Sequence, residues 1–280
     1  MNVEEQALAF PCHDDWLYGI LSLPQQPCRR GVLIVVGGPQ YRAGSHRQFT
    51  LLARSLAQHG IAAMRFDYRG MGDSQGEVRD FETIEDDLRA AVDAFTRAVP
   101  GLRDVVLWGL CDAASAITMY APHDARVSGL VLLNPWVRTA DGLAKTTLKH
   151  YYRDRLRDRR FWSSLVRGRF DYGSSLRSMV KLARVAFGPA LAGNPGKTAL
   201  PDRMHAGMRD FKGHVMMIIG GADLTGREFC DMANGNAAWK RLLNAPHVTQ
   251  RRIDRADHTF SRRVWRDQVA DWTREWMRSW

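Results

Sequence analysis

Short apolar runs recur along the chain, and stretches with helical periodicity separate them. Each run has four to six residues, as is typical of strands covered on both faces of a sheet; the runs are Val32–Val36, Ile61–Phe66, Val105–Trp108, Leu130–Leu133 and Val215–Ile219. Val248–Ile253 is a further strand candidate. Between the first two runs, Phe49, Leu52 and Leu56 fall on one helical face, and the apolar residues from Phe81 to Val99 form a second stripe. Strands and helices that alternate in this way predict βαβ units. The predicted fold class is α/β, with a mostly parallel, doubly wound sheet.

Two regions depart from this alternation. The opening segment predicts an extra pair of strands, Gln6–Phe10 and Trp16–Leu23, divided by a turn. Residues 138–212 contain two helical patterns, at 143–157 and 175–186, followed by a loop rich in Gly, Pro and Ala. We expect residues 138–212 to be a helical cap inserted between two sheet strands. Residues 1–137 and 213–280 then form the core.

The positive charge of the chain is concentrated in the predicted cap. The whole chain has a net charge of +10, whereas residues 138–212 alone carry 17 basic and 6 acidic residues, a net charge of +11. No helix-turn-helix, zinc or RNP signature is present, so no nucleic-acid partner is expected. A basic cap can attract an anionic substrate, such as a coenzyme A ester or an acidic polysaccharide, or a membrane surface. A solvated basic face is the alternative interpretation.

The remaining composition is that of an ordinary globular protein, with 45% hydrophobic and 25% charged residues. No apolar run approaches the roughly 18 residues of a membrane span, and the acidic start of the chain lacks the features of a signal peptide. The four cysteines show no CxxC pair or metal-ligand spacing, and no G-x-G-x-x-G follows a strand. These features predict a cytoplasmic protein without a metal or cofactor, and they leave the oligomeric state open.

The last helical stretch has an aromatic stripe. Trp265, Val269, Trp272 and Trp276 follow one another at spacings of four, three and four, with arginines between them. This spacing predicts a helix whose stripe faces the core. A helix lying at a membrane surface is the alternative.

A candidate nucleophile lies where a predicted strand runs into a helix. The segment Gly109-Leu110-Cys111-Asp112-Ala113 has the small-x-nucleophile-x-small pattern of a nucleophile elbow, in which a larger side chain would collide with the neighbouring backbone. The amino end of the following helix favours the thiolate form of Cys111, and the charge of Asp112 opposes it. Alternatively, Cys111 is a small buried hydrophobic residue.

Two further residues complete a candidate triad in the chain order nucleophile, acid, histidine. Asp223 follows the strand Val215–Ile219, and His258 follows the strand Val248–Ile253. The carboxyl ends of parallel strands meet at one edge of a sheet, so these side chains are expected to converge. Asp257 is too close in sequence to orient the His258 ring. The predicted acid is therefore Asp223, with Glu228 as the weaker alternative.

An acyl-transfer site also needs donors for an oxyanion. One is expected to be the amide of Asp112, which follows the nucleophile. The other should come from the loop Gly37-Gly38-Pro39-Gln40. Because Pro39 has no N–H, Gly38 is the first choice and Gln40 the second.

Together these motifs resemble the α/β-hydrolase superfamily over nearly the whole chain. Asp67–Ser74, with the sequence DYRGMGDS, resembles its D-x-R-G-x-G-x-S loop, and Ala256–Phe260 resembles its histidine loop. The segments Gly37–Arg47 and Gly109–Ser115 are similar to the exosortase A system-associated hydrolase 1 group. That resemblance implies a bacterial cytosolic hydrolase, associated with exopolysaccharide and PEP-CTERM sorting genes, with Cys111, Asp223 and His258 in the triad positions.

The chain departs from the wider superfamily at three positions. Cysteine replaces the usual serine, Ala113 replaces a glycine, and Val36 stands where many members have histidine. The leading hypothesis is cleavage of a small-molecule ester or thioester through an acyl-enzyme. Transfer of the acyl group to a sugar or lipid hydroxyl is the first alternative, and a catalytically inert binding protein on the same fold is the second.

Overall fold

A computed structural model describes residues 3–26, 28–38, 40–137 and 198–280, and these ranges contain one eight-stranded sheet. The strands are β1 (Glu4–Cys12), β2 (Asp15–Leu23), β3 (Arg30–Val35), β4 (Ala62–Asp67), β5 (Asp104–Leu110), β6 (Val127–Leu133), β7 (His214–Gly220) and β8 (Val248–Ile253). Their order across the sheet is β1-β2-β4-β3-β5-β6-β7-β8. β2 pairs antiparallel with β1 and β4, and all the other pairs are parallel. The predicted strands and the mostly parallel sheet are confirmed.

Helices cover both faces of the sheet. Within the described ranges they are α1 (Gln48–Gln58), α2 (Glu85–Ala98), α3 (Asp112–Tyr120), α4 (Leu200–Asp210), α5 (Leu224–Gly235), α6 (Ala237–Leu243) and α7 (Arg263–Arg278). Buried residues of α1 and α7 pack with Val32 and Ile34 of β3 on one face. The buried residues of α2 to α6 pack on the other face of the sheet, in an apolar cluster that includes Leu33 of β3. Because successive side chains of a strand point to opposite faces, a strand between two helical layers is apolar throughout.

Helix α4 falls within the segment that the sequence assigns to the cap. Its Met204 and Met208 are buried in the same core as the sheet strands, so residues 200–210 belong to the layer that covers the sheet. A side chain at Gly207 would collide with the backbone carbonyl of Thr118 on α3, so this close helix contact requires glycine. The predicted cap helices at 143–157 and 175–186 lie outside the described residues, and the cap itself stays a prediction.

The aromatic stripe of α7 faces the core. Val269 and Trp276 are buried, and Trp265 and Trp272 are partly buried against the same apolar cluster. The core-facing orientation predicted from the spacing is therefore confirmed. None of the helices in the described part of the chain has the length and hydropathy needed to cross a bilayer.

Candidate active site

Cys111 forms the corner between β5 and α3. Its backbone has φ 64° and ψ −124°, a conformation that is strained for any residue other than glycine and is often found at functional sites. Two backbone hydrogen bonds hold the corner: the Cys111 N–H donates to Leu133 O at 2.9 Å, and the Trp136 N–H donates to Cys111 O at 3.2 Å. A Cβ at Gly109 would lie 2.8 Å from the carbonyl carbon of Ala113. The segment therefore has the geometry of a nucleophile elbow.

His258 lies in the loop after β8, and Asp223 lies at the end of β7. The Nδ1 atom of His258 is 3.0 Å from Oδ1 of Asp223. The other oxygen of Asp223 accepts the Gly226 N–H at 2.8 Å, so Asp223 also caps the amino end of α5. Because both carboxylate oxygens are held, the carboxylate has one fixed orientation toward the ring. The side chain of Cys111 interacts with the same ring and raises its pKa. The structure thus brings the three predicted residues together.

The hydrogen bond to Asp223 raises the pKa of His258 to about 10, and the hydrogen bond to Cys111 acts in the same direction. Burial of the ring opposes this rise. An ordinary histidine has a pKa of about 6.5. The raised pKa favours the imidazolium form of His258, in which Nδ1 carries a proton that faces Asp223.

The neighbouring carboxylates do not compete with Asp223. Asp257 accepts the backbone N–H of Ser261 at 2.9 Å and the hydroxyl of the same residue. Glu228 is buried on α5, but the carboxylate that contacts the His258 ring is that of Asp223. Of Asp223, Glu228 and Asp257, Asp223 is thus the one whose carboxylate is hydrogen-bonded to the His258 ring.

The predicted oxyanion donors contact a group of the protein itself. The Gly38 N–H donates to Oδ2 of Asp112 at 2.9 Å, and the Ala113 N–H donates to Oδ1 at 2.9 Å. The first-choice donor, the Gly38 amide, is therefore bound to the carboxylate of the residue whose own amide is the other expected donor. The second choice, the Gln40 N–H, donates to Gly38 O at 2.8 Å within a tight turn.

Burial raises the pKa of Asp112, although the backbone N–H groups of Gly38, Ala113 and Asp112 itself lower it. A Cβ at Gly37 would collide with Oδ1 of Asp112. The carboxylate thus fits against the backbone of the Gly37–Gly38 loop only because position 37 has no side chain.

The Asp67–Ser74 loop supports the segment that follows Gly38. Asp67 is fully buried, accepts the Arg42 N–H at 2.7 Å and forms an ion pair with the Arg42 guanidinium. In the same loop, the Arg69 guanidinium binds both carboxylate oxygens of Asp87, the closest contact being 2.8 Å. The motif therefore ties the segment after Gly38 and helix α2 to the loop after β4 through buried charge pairs.

Asn134 is a polar residue of this region that is not among the candidate site residues predicted from the sequence. It directly follows β6 and is fully buried. Its side chain bridges Gly220, at the end of β7, and the carbonyl of His258. The signal that selected Asp223, a polar residue just after a buried strand, applies equally to Asn134.

No group of three His, Cys, Asp or Glu side chains is arranged to hold a metal ion in the part of the chain that the structure describes.

Comparison with known proteins gives a family match over most of the chain. Residues 27–223 match the family model described as serine aminopeptidase, S33. Human protein ABHD12B is 31% identical over 114 residues, which are 38% of this chain and 30% of that protein. The polyketide transferase grgF of Penicillium sp is 30% identical over 90 residues, which are 31% of each chain. The chain thus spans about a third of the length of these relatives.

Solved structures match over almost the full length. The esterase Pf2001 of Pyrococcus furiosus superimposes with a TM-score of 0.67 and 17% identity, covering 99% of this chain and 93% of the esterase. At this level of identity the likeness shows a common fold, that of the α/β-hydrolases. The serine in the family's description contrasts with Cys111, which occupies the elbow in this chain.

Proposed function

The chain belongs to the serine aminopeptidase S33 family of α/β-hydrolases, and we propose that it cleaves an ester or thioester through an acyl-enzyme on Cys111. The observation that carries this proposal is the series Asp223–His258–Cys111, in which Asp223 is hydrogen-bonded to the His258 ring and Cys111 interacts with that ring from a strained elbow. A nucleophile, a base and an orienting acid within hydrogen-bonding reach are what acyl transfer requires.

His258 takes the proton of the Cys111 thiol, or its imidazolium pairs with a preformed thiolate; in both cases the ring is protonated when the sulfur attacks. The thiolate attacks the carbonyl carbon, a C–S bond forms, and the carbonyl electron pair moves to the oxygen. As this intermediate collapses, the bond to the leaving oxygen or sulfur breaks, and the Nε2–H of His258 supplies its proton. Asp223 holds the ring throughout.

Hydrolysis of the acyl-enzyme reverses the role of His258. The neutral ring takes a proton from water, whose oxygen attacks the acyl carbon. Collapse of the second intermediate breaks the C–S bond, releases the acid and restores the thiolate. The backbone amides of Gly38 and Asp112 stabilise the oxyanion in both steps after the Asp112 side chain has turned away from them.

Transfer to a hydroxyl group in place of water is the second candidate. It is supported by the relative described as a polyketide transferase and by the fact that the same three residues serve both reactions. Incubation of the acyl-enzyme with sugar or lipid alcohols, followed by mass analysis for an ester product, separates the two. Faster loss of the acyl group with an alcohol than with water alone indicates a transferase.

The substrate class is part of the proposal. The net charge of +11 on residues 138–212 supports an acyl ester or thioester with an anionic part. We expect kcat/KM for such a substrate to fall steeply between low and high salt, and kcat/KM for an uncharged ester to change little. The motifs at Gly37–Arg47 and Gly109–Ser115 support a place in bacterial exosortase-linked systems, in the cytoplasm.

Intact-protein mass spectrometry after incubation with a short-chain p-nitrophenyl ester tests the nucleophile. We expect an acyl adduct and nitrophenol release with the wild type, and neither with Cys111→Ala. Cys230→Ala is the matched control, because Cys230 is a second partly buried thiol whose pKa is raised by burial. An adduct that survives Cys111→Ala contradicts the proposal. The absence of any adduct on the wild type favours the inert binding protein.

A further inference from the structure

Asn134 has an unusual conformation at the carboxyl end of the sheet. It follows the last residue of β6, is fully buried and has φ 42°, in the left-handed region. Asparagine tolerates this region better than most residues, although the conformation still has a cost. A buried polar side chain held in such a conformation indicates a specific requirement for its contacts.

The side chain of Asn134 joins the two loops that carry the charged members of the triad. Its Oδ1 accepts the Gly220 N–H at 2.7 Å, and its Nδ2 donates to the carbonyl oxygen of His258 at 3.1 Å. Asp223 is in the turn that follows Gly220, and its own N–H donates to Gly220 O at 3.1 Å. One amide therefore links the base of the Asp223 turn to the backbone of His258.

The surrounding backbone leaves little room for these loops to move. A Cβ at Gly226 would lie 2.7 Å from Oδ1 of Asn134, and a Cβ at Gly220 would lie 2.9 Å from the carbonyl oxygen of Ala256. The Asn134 amide thus fills a tightly packed position among three loops.

We propose that Asn134 is a positioning residue, which holds the His258 loop in register with the Asp223 turn so that the ring reaches both Asp223 and Cys111. This inference rests on the proposed function. An amide suits the position because it offers an acceptor to Gly220 and a donor to His258 at the same time. A carboxylate would still accept the Gly220 N–H, but its second oxygen would face the carbonyl oxygen of His258, and both of these atoms are acceptors.

Two variants test this role. Asn134→Gly removes both hydrogen bonds, and glycine adopts the left-handed conformation without strain, which favours folding. Asn134→Asp keeps the acceptor for Gly220 and replaces the donor to His258 by a second acceptor oxygen. The control is Asn236→Gly: the side-chain oxygen of Asn236 also accepts backbone N–H groups, those of Ala238 and Trp239, but Asn236 is exposed and caps α6 rather than joining the triad loops.

With a short-chain p-nitrophenyl ester, we expect both Asn134 variants to lower kcat by about 10- to 100-fold and to change KM less than threefold, since small misplacements of catalytic groups have effects of this size. In Asn134→Gly we also expect the His258 ring to titrate at a lower pH, measured by NMR of protein labelled on the histidine rings. Asn236→Gly should lower the melting temperature and leave both quantities unchanged.

Unchanged kcat in both Asn134 variants would overturn the inference. So would a loss of kcat in Asn134→Gly without any movement of the His258 titration, because that pattern indicates a structural role. If the wild type shows no turnover that depends on Cys111, the proposed function fails. The His258 titration then still tests whether Asn134 positions the ring.

Discussion

Replacing Asp223 with Asn tests the charge state of the site. Asn caps helices as well as Asp does, so the contact with the Gly226 N–H and the start of α5 are retained. The single side-chain oxygen then faces Gly226, and the NH2 group faces Nδ1 of His258. An NH2 group favours a ring whose Nδ1 is unprotonated, which opposes the imidazolium form that Asp223 stabilises in the wild type.

The size of the effect follows from the contact that is lost. A hydrogen bond to a charged group contributes about 1.5–3 kcal/mol, and one pKa unit corresponds to about 1.4 kcal/mol. The pKa of His258 is about 10 in the wild type, so we expect it to fall to about 8–9 in Asp223→Asn. Because 35% of the His258 side chain is exposed, solvent screening favours the smaller change.

The sign of the pH effect follows from this fall. The imidazolium, which supplies the leaving-group proton, persists in the wild type up to a pH near its pKa of about 10. In Asp223→Asn it is lost at a lower pH, so the alkaline limb of the kcat/KM profile moves downward by about one to two units. Long-range 1H–15N spectra give the pKa directly, with the His258 signal assigned by its absence from His258→Ala.

Asp257→Asn is the control for this experiment, because Asp257 is the adjacent carboxylate and binds Ser261. We expect it to leave the His258 titration in place. A wild-type His258 that titrates near 6.5, or an Asp223→Asn variant that titrates like the wild type, would refute the reasoning.

Two further predictions concern Asp112 and a buried ion pair. Asp112→Ala frees the Gly38 N–H from a charge-assisted hydrogen bond, so that this amide can bind the oxyanion. The acyl-enzyme should then form about tenfold faster with the p-nitrophenyl ester, as measured by stopped flow. Acylation that is equally fast or slower, in a variant whose melting temperature is unchanged, contradicts this prediction. Arg69→Ala leaves the fully buried Asp87 carboxylate without its cation and should lower the free energy of unfolding in urea by about 3–5 kcal/mol. Arg89→Ala removes only an exposed helix pair and should cost less than about 0.5 kcal/mol.

Much of the fold could be predicted because its determinants are local in sequence. The apolar runs that become β3 to β7 are buried on both faces, and such strands need no alternating polar positions to be recognised. Helix α4 was harder to predict from the sequence, because the glycine in its interior, Gly207, lowers the helix propensity of the segment. The reason for that glycine, the carbonyl of Thr118, belongs to another helix.

The part of the candidate site that could be predicted is the part whose residues are brought together by the arrangement of the strands alone. Cys111, Asp223 and His258 each follow a parallel strand, and the ends of such strands meet. The contacts of Asp112 and Asn134 depend instead on side-chain rotamers and on backbone groups more than 70 residues away. No local pattern encodes them, so an aspartate beside a nucleophile and an asparagine after a strand are unremarkable in the sequence.

The close packing around Gly37 also constrains how the family's sequences can diverge. A Cβ at position 37 would collide with the Asp112 carboxylate and would also lie 2.6 Å from the backbone carbonyl oxygen of Leu110. Replacing Asp112 by a smaller residue removes the first collision but not the second, because the second involves the backbone of the elbow itself. Homologues are therefore expected to keep glycine at the position of Gly37 even where the residue after the nucleophile varies.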